Sequence, residues 1–428
     1  MIIYKSYKYR LETNNVQRQG LSQIADSCRF IWNWALQQRN DLYKALTPFS
    51  KEQSEIDLFK QLRKHHRISA FDQHKQITYL RKQFPFLMNA PIHSLQAVIF
   101  DLDSAFQYFF SKQNGYPKFK KKTAQQSFRL SDPQYDFTID NGRIRLAKIG
   151  WLSYKNSRSL RGRTKSVTVL YDGLHWFISI LTEQDIGELL TPVGQPVAID
   201  LGVTRSVAQS DNETIQFPMP TKPETKKLAK LQRHISRKQV GSNRRTKAQK
   251  RFNRLKKHLT NRRLDKMHKT TTKLAKNHSL IVIEDLQVKN MSKSAKGTIA
   301  CPGVNVAAKS GLNKAILQQG WYEFRRQLTY KTQWYGSKLE VVPAPYTSQT
   351  CSQCQYCDKG NRLAQELFKC LKCGYAMNAD VNAAQNILAV GMTVIARRAS
   401  QKGEVQASIV DDRERSETES LDLLVKVN

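Results

Sequence analysis

Four cysteines in two C-x-x-C pairs, CSQC at 351–354 and CLKC at 370–373, restrict the folding of this chain more than any other stretch. Fifteen residues separate the pairs, within the range of a four-cysteine zinc ribbon. Two-residue spacing lets both thiolates of a pair face one tetrahedral ion at roughly 2.3 Å. Gly374 follows the second pair and suits a tight turn, and Gln355 holds the equivalent place after the first. Cys351, Cys354, Cys370 and Cys373 are taken as ligands of a structural Zn2+, although Cys357 makes a third C-x-x-C with Cys354 and could substitute. Four thiolates fill a tetrahedral sphere, which argues against a catalytic zinc. The remaining cysteines, Cys28 and Cys301, stand far apart, so the set reads as metal-binding and not as a disulfide framework.

The second pair runs without a linker into DVNAAQNIL, a helix-like stretch with Asp380 at its start. Two other acids end apolar, strand-like runs: Asp200 closes VAID and Glu284 closes IVIE. Carboxylates are hard oxygen ligands suited to Mg2+, and two such ions roughly 3.5–4 Å apart can serve phosphodiester hydrolysis. Singly, each acid is ordinary. Asp380 could cap its helix, and either Glu284 or Asp285 could be a plain strand-end charge. Their succession is more telling: acid on a strand, two further strands, a helical insertion, acid on the next strand, helix, strand, acid on a helix. That is the order of a ribonuclease-H-like nuclease core. The ribbon then reads as an insertion before the last core helix, fixing where Asp380 emerges.

The charge names the partner. Seventy Lys and Arg face 35 Asp and Glu, a net +35 that calls for a polyanion, with nucleic acid foremost. No apolar run reaches the ~18 residues of a membrane span, and MIIYKSYKYR lacks a signal-peptide pattern. A cytoplasmic, nucleoid-associated chain is therefore expected.

Residues 1–10 read as a strand and 11–110 as a helical module. Leu21, Ile24, Ala25, Cys28, Ile31, Trp32 and Ala35 form one core stripe; Leu95, Val98, Ile99, Leu102, Phe106 and Phe109 form another. In 111–190, FTIDNGRIRL and VTVLYDGLHWFISI each place a glycine turn between alternating strands. GYPKFKKK interleaves Tyr116 and Phe119 with Lys118, Lys120, Lys121 and Lys122, suiting phosphate contact with stacking. Residues 222–276 are helix-compatible and basic, Arg237, Lys238, Arg244 and Arg245 among them, opposed only by Glu224 and Asp265. This stretch suits a phosphate backbone, RNA or DNA. Residues 310–331 read as one helix and KLEVV as a strand, and the polar end of the chain is too poor in apolar residues to order itself.

Together AIDLGV, IVIEDL, YTSQTCSQC, CLKCG and DVNAAQNIL resemble the TnpB (OrfB) family encoded by insertion sequences, relatives of the type V CRISPR effectors. The similarity covers about residues 1–390. It implies an α/β multidomain protein: a barrel-like wedge domain from 1–10 and 111–190, a helical recognition module at 11–110, and a RuvC-like mixed-sheet core at 191–349 with 222–276 inserted. A zinc ribbon at 350–375, a last core helix at 376–395 and an unordered tail at 396–428 complete it. The resemblance implies Asp200, Glu284 and Asp380 as catalytic acids binding Mg2+, with two ions. It also implies a guide RNA from the chain's own transposon that directs cleavage of double-stranded target DNA beside a short motif. Asn378-Ala379 stand where family members often carry charged residues, and Cys357 is extra; neither removes a ligand. Two rivals remain in other classes: a non-cleaving nucleic-acid-binding accessory, and a transposase acting on transposon ends. No tyrosine in an obvious His-x-His neighbourhood favours the latter.

Overall fold

The computed structural model describes residues 1–47, 52–66, 68–122, 126–343 and 345–401. The chain divides into two compact units, one of residues 1–187 and 233–254, the other of 188–232 and the residues from 255 on.

In the first unit, β1 (Ile2–Glu12) leads into α1 (Asn15–Ala45), α2 (Gln53–His65), α3 (Ala70–Gln83) and α4 (Ile92–Phe110). Then come β2 (Ser127–Leu130), β3 (Phe137–Asp140), β4 (Arg143–Leu146), β5 (Gly150–Tyr154), β6 (Arg163–Tyr171) and β7 (Trp176–Asp185). The strands form one antiparallel sheet in the order β2-β6-β7-β1-β5-β4-β3. The β3–β4 turn places Asn141 at φ 34° and Gly142 at φ 81°, the pair of positive angles a tight hairpin needs. The α1 stripe is buried throughout; α4 buries its stripe up to Phe106 and leaves Phe109 only half-buried. Both pack with the sheet into one hydrophobic core. Asn14 starts α1 with a capping box shared with Gln17, which fixes where strand gives way to helix.

The second unit holds β8 (Val197–Asp200), β9 (Val207–Gln209) and β10 (Thr214–Ile215), followed by α5 (Lys222–Ser236) up to residue 232 and α6 (Asn243–Asn277) from residue 255, the residues between belonging to the first unit. It continues with β11 (Leu280–Glu284), α7 (Val288–Met291), α8 (Val306–Gln319), α9 (Trp321–Tyr335) and β12 (Lys338–Val342). A small hairpin, β13 (Leu367–Lys369) and β14 (Ala376–Asn378), precedes α10, helical over 379–401. The sheet order is β10-β9-β8-β11-β12. β8, β9 and β10 are antiparallel neighbours, whereas β11 runs parallel to both β8 and β12. That is the mixed sheet expected of a ribonuclease-H-like core. α10 lies directly on β11: a Cβ at Gly391 would stand 2.6 Å from Val282 Cγ1.

Three expectations change. The single helix over 310–331 breaks at Gly320, whose φ of 76° ends α8 and starts α9, and Leu317 is 59 % exposed. The last helix does not stop at 395 but continues to 401, where Arg398 pairs with Glu340 at 2.8 Å. The tail expected from 396 is therefore ordered at its start, and 402–428 lie outside the described residues. Among the described residues no helix is long and apolar enough to cross a membrane.

Candidate active site and cysteine cluster

Parallel pairing of β8 with β11 sets Ile199 opposite Ile283, so Asp200 and Glu284 leave the sheet side by side at the same edge. The turn after Asp200 is tight, since a Cβ at Gly202 would come within 2.6 Å of the Arg205 carbonyl oxygen. Ser206 pins that loop, its hydroxyl donating to Gln319 at 3.0 Å and accepting from the Phe217 amide at 3.0 Å.

Asp380 reaches the same place from α10. The Asp200 carboxyl is pushed up to about 7, first by burial, then by the Asp380 and Glu284 carboxylates, with Arg362 opposing. Burial also raises Glu284, and the neighbouring Asp285 adds to it. A pocket that disfavours its own negative charge in this way is one a bound cation relieves. Among the described residues, the three carboxylates do not gather as closely as the cysteines, whose ligand atoms all lie within 4.8 Å of one another.

Two ambiguities of the sequence are decided here. Asp285 is spent on Arg325, 2.5 Å away, whereas the Glu284 carboxylate has no ion pair or hydrogen bond among the described residues. At the start of α10 the cap is Asn378, whose side-chain oxygen accepts from the amides of Asp380 at 3.1 Å and Val381 at 3.3 Å. Asp380 is thereby free of the capping role and pairs with Arg362 at 3.2 Å.

The cysteine cluster is made of Cys351, Cys354, Cys370 and Cys373, and Cys357 stands exposed outside it. Each pair is folded by the same bonds. The Cys351 carbonyl accepts from the Gln355 amide at 2.9 Å and the Cys351 amide donates to Tyr356 at 2.9 Å. Cys370 repeats this with Gly374 at 3.0 Å and Tyr375 at 2.8 Å. Gln355 and Gly374 both take positive φ, 59° and 74°, so the first turn is made by a residue that adopts this conformation at some cost. Sulfur separations of 3.7 Å for Cys351–Cys373 and 3.6 Å for Cys354–Cys370 match the roughly 3.8 Å edge of a tetrahedron with 2.3 Å metal–sulfur bonds. These four residues fit a zinc ion.

Several residues that fasten the ribbon gave no signal to sequence reasoning. Asn382 accepts from the Ser352 amide at 3.0 Å and donates to the Thr350 carbonyl at 2.7 Å. Asn386, one turn on, donates to Thr347 at 2.9 Å and Thr350 at 2.7 Å. Only the four-residue spacing of the two asparagines in DVNAAQN hinted at a shared helix face. On the other side, Gln365 donates to Thr204 at 2.6 Å and Arg205 pairs with Glu366 at 3.1 Å. Arg362 bonds the Gln365 carbonyl at 2.8 Å as well as Asp380.

The expected nucleic-acid contacts lie in the first unit and divide. Lys118, Lys121 and Lys122 are exposed, and Phe119 is 47 % exposed. Tyr116 instead donates to Asn40 at 2.6 Å, and the Lys120 ammonium sits 3.8 Å over the Trp32 ring. Arg237 and Arg244 are exposed and Lys238 partly so. Arg245 is a structural residue, its guanidinium donating to the carbonyls of Ile235 at 3.2 Å and Lys238 at 2.8 Å where α5 ends.

Three family models match parts of the chain. "Cas12f1-like, TNB domain" covers 321–387, "Probable transposase" covers 179–295, and "Helix-turn-helix domain" covers 1–46. The last of these residues form a strand and one long helix here. The chain is 40% identical over 396 residues to the Escherichia coli (strain K12) protein named "Putative RNA-guided DNA endonuclease InsQ", covering 92% of this chain and 93% of that one. It is 31% identical over 405 residues to a Streptomyces pristinaespiralis protein named "Putative RNA-guided DNA endonuclease", at 92% and 91% coverage. Against the solved "Cas12f1-sgRNA-target DNA complex" it aligns over 90% of its length and 99% of that chain, at 14% identity and a TM-score of 0.46.

Proposed function

Because this chain belongs to the TnpB (OrfB) family, we propose that it is an RNA-guided DNA endonuclease whose phosphodiester cleavage is carried by Asp200, Glu284 and Asp380. One observation supports this above the rest: Asp200 is raised to about 7 partly by two carboxylates that come from elsewhere in the chain, Asp380 and Glu284. Acids kept for caps or strand ends would not be collected around one another. The rival accessory reading also loses its account of Asp380, because Asn378 does the capping.

Asp200, Glu284 and Asp380 would hold magnesium, which when bound activates water and stabilises the leaving oxygen of a phosphodiester. The chain's own part is positional. Sheet register fixes Asp200 and Glu284, Asn378 sets the first turn of α10, and the ribbon locks that helix through Asn382 and Asn386. Arg362 balances the acidic cluster from the ribbon side. Cys351, Cys354, Cys370 and Cys373 would hold zinc, which closes the ribbon and does no chemistry on substrate.

Sequence choice would come from base pairing between guide RNA and target, so the protein needs phosphate and shape contacts more than base-reading side chains. The net charge of +35 suits two polyanionic partners, and such a complex works in the cytoplasm at the nucleoid. The test is to purify the chain with its co-expressed RNA and supply matching DNA with Mg2+. Asp200→Ala, Glu284→Ala and Asp380→Ala should each lose roughly 10^3-fold or more in cutting, with guide RNA retained. Cutting that persists in all three would remove the proposal.

A further inference from the structure

Beside Glu284 a cleft of about 260 Å3 opens between the end of β11 and the first turn of α9. Glu284, Lys289, Trp321, Tyr322 and Arg325 line it. Successive side chains of α9 point to different sides of the helix: Trp321 is buried, and Tyr322 is 75 % exposed. Among the described residues the Tyr322 hydroxyl and the Lys289 ammonium have no hydrogen-bond or ion-pair partner. Arg325 is anchored to Asp285 through one nitrogen, which leaves its other N–H donors to spare.

We propose that this cleft is the subsite for the nucleotide flanking the bond to be cut, with its base stacked on Tyr322 and the adjoining phosphate taken by Lys289 and Arg325. The proposal rests on the nuclease reading above. An open aromatic face beside one unpaired ammonium and a guanidinium with N–H donors to spare is an arrangement that binds single-stranded nucleic acid. Charge sets the orientation within it. Lys289 and the spare N–H groups of Arg325 attract a phosphate to their side, which leaves the uncharged base to the ring.

The test uses the RNA-loaded complex and single-stranded DNA in which an abasic residue is moved stepwise through the cut region. Tyr322→Ala should raise KM about tenfold with little change in kcat, and Tyr322→Phe should restore it, since stacking needs the ring and not the hydroxyl. At one position the abasic substitution and Tyr322→Ala should fail to add, because each removes the same contact. Lys289→Gln should raise KM on intact and abasic DNA alike. Thermal melting of the complex should not move, as Tyr322 is exposed. An unchanged KM for Tyr322→Ala, or additive effects at every position, would overturn the subsite. If Asp200→Ala cut as well as the parent, the nuclease reading would fail first; a dead Asp200→Ala beside an unaffected Tyr322→Ala would sink the subsite alone.

Discussion

The cysteine cluster and the carboxylate cluster of the second unit both gather side chains of types that can ligate metals, yet they are built differently. The sulfurs are delivered by two local turns, each closed by bonds from the first cysteine to the residues four and five positions on. The carboxylates are delivered by a strand end, a second strand end and a helix start, distant in the chain. Local turns hold their geometry from within. Carboxylates from separate elements keep theirs only if the sheet register and α10 stay in place, and α10 is bound to the ribbon. Dependence should therefore run one way, from the acids to the cysteines.

Breaking the cysteine cluster tests that asymmetry with the largest effect. Cys370→Ser should release zinc, read by elemental analysis, and lower cutting about 100-fold, the usual cost of misplacing a catalytic group by about 1 Å. Asp380→Ala should leave zinc content at its parent level. A zinc-free Cys370→Ser chain that cuts normally would show the two clusters to be independent.

A pH experiment sharpens the other half. Asp200 sits above the ordinary carboxylate value near ~4, so the folded chain keeps a proton that the unfolded chain releases. The protonated form's contribution to stability is full at low pH and fades as pH climbs toward about 7, beyond which a buried charge remains. With chelator present, Asp200→Asn should thus raise Tm more at pH 8 than at pH 5, while abolishing cutting. An equal Tm change at both pH values would mean that charge is not what burdens this site.

The smallest effect belongs to the joint between the clusters. Asn378→Ala should cost about 1 kcal/mol in a urea melt, the usual value of a helix N-cap, and lower cutting less than Cys370→Ser does. A loss of cutting as large as that of Cys370→Ser would make the cap, not the ribbon, the main support of Asp380.

How legible each feature was follows its range in the chain. C-x-x-C geometry depends on a few neighbours, so the sequence pointed to Cys351, Cys354, Cys370 and Cys373, and only the contest with Cys357 stayed open until the fold placed that thiol outside the cluster. The D-N-G hairpin was readable for the same reason. The acids needed the order of whole elements before they meant anything. Arg362 had no spacing to betray it, since its partner Asp380 lies beyond the second cysteine pair. Arg245 looked like any other cation in a basic run, and only the end of α5 shows that two carbonyls occupy it.

Backbone turns, ligand chemistry, strand and helix identity and the overall charge are written in residues close together, because they are settled by interactions within a turn or two. Which of Glu284 and Asp285 faces the cluster, whether Asp380 or Asn378 caps α10, and the presence of a cleft under Tyr322 are settled by groups arriving from elsewhere. A side chain's direction and its charge state depend on what packs against it, and that partner exists only once distant segments have come together.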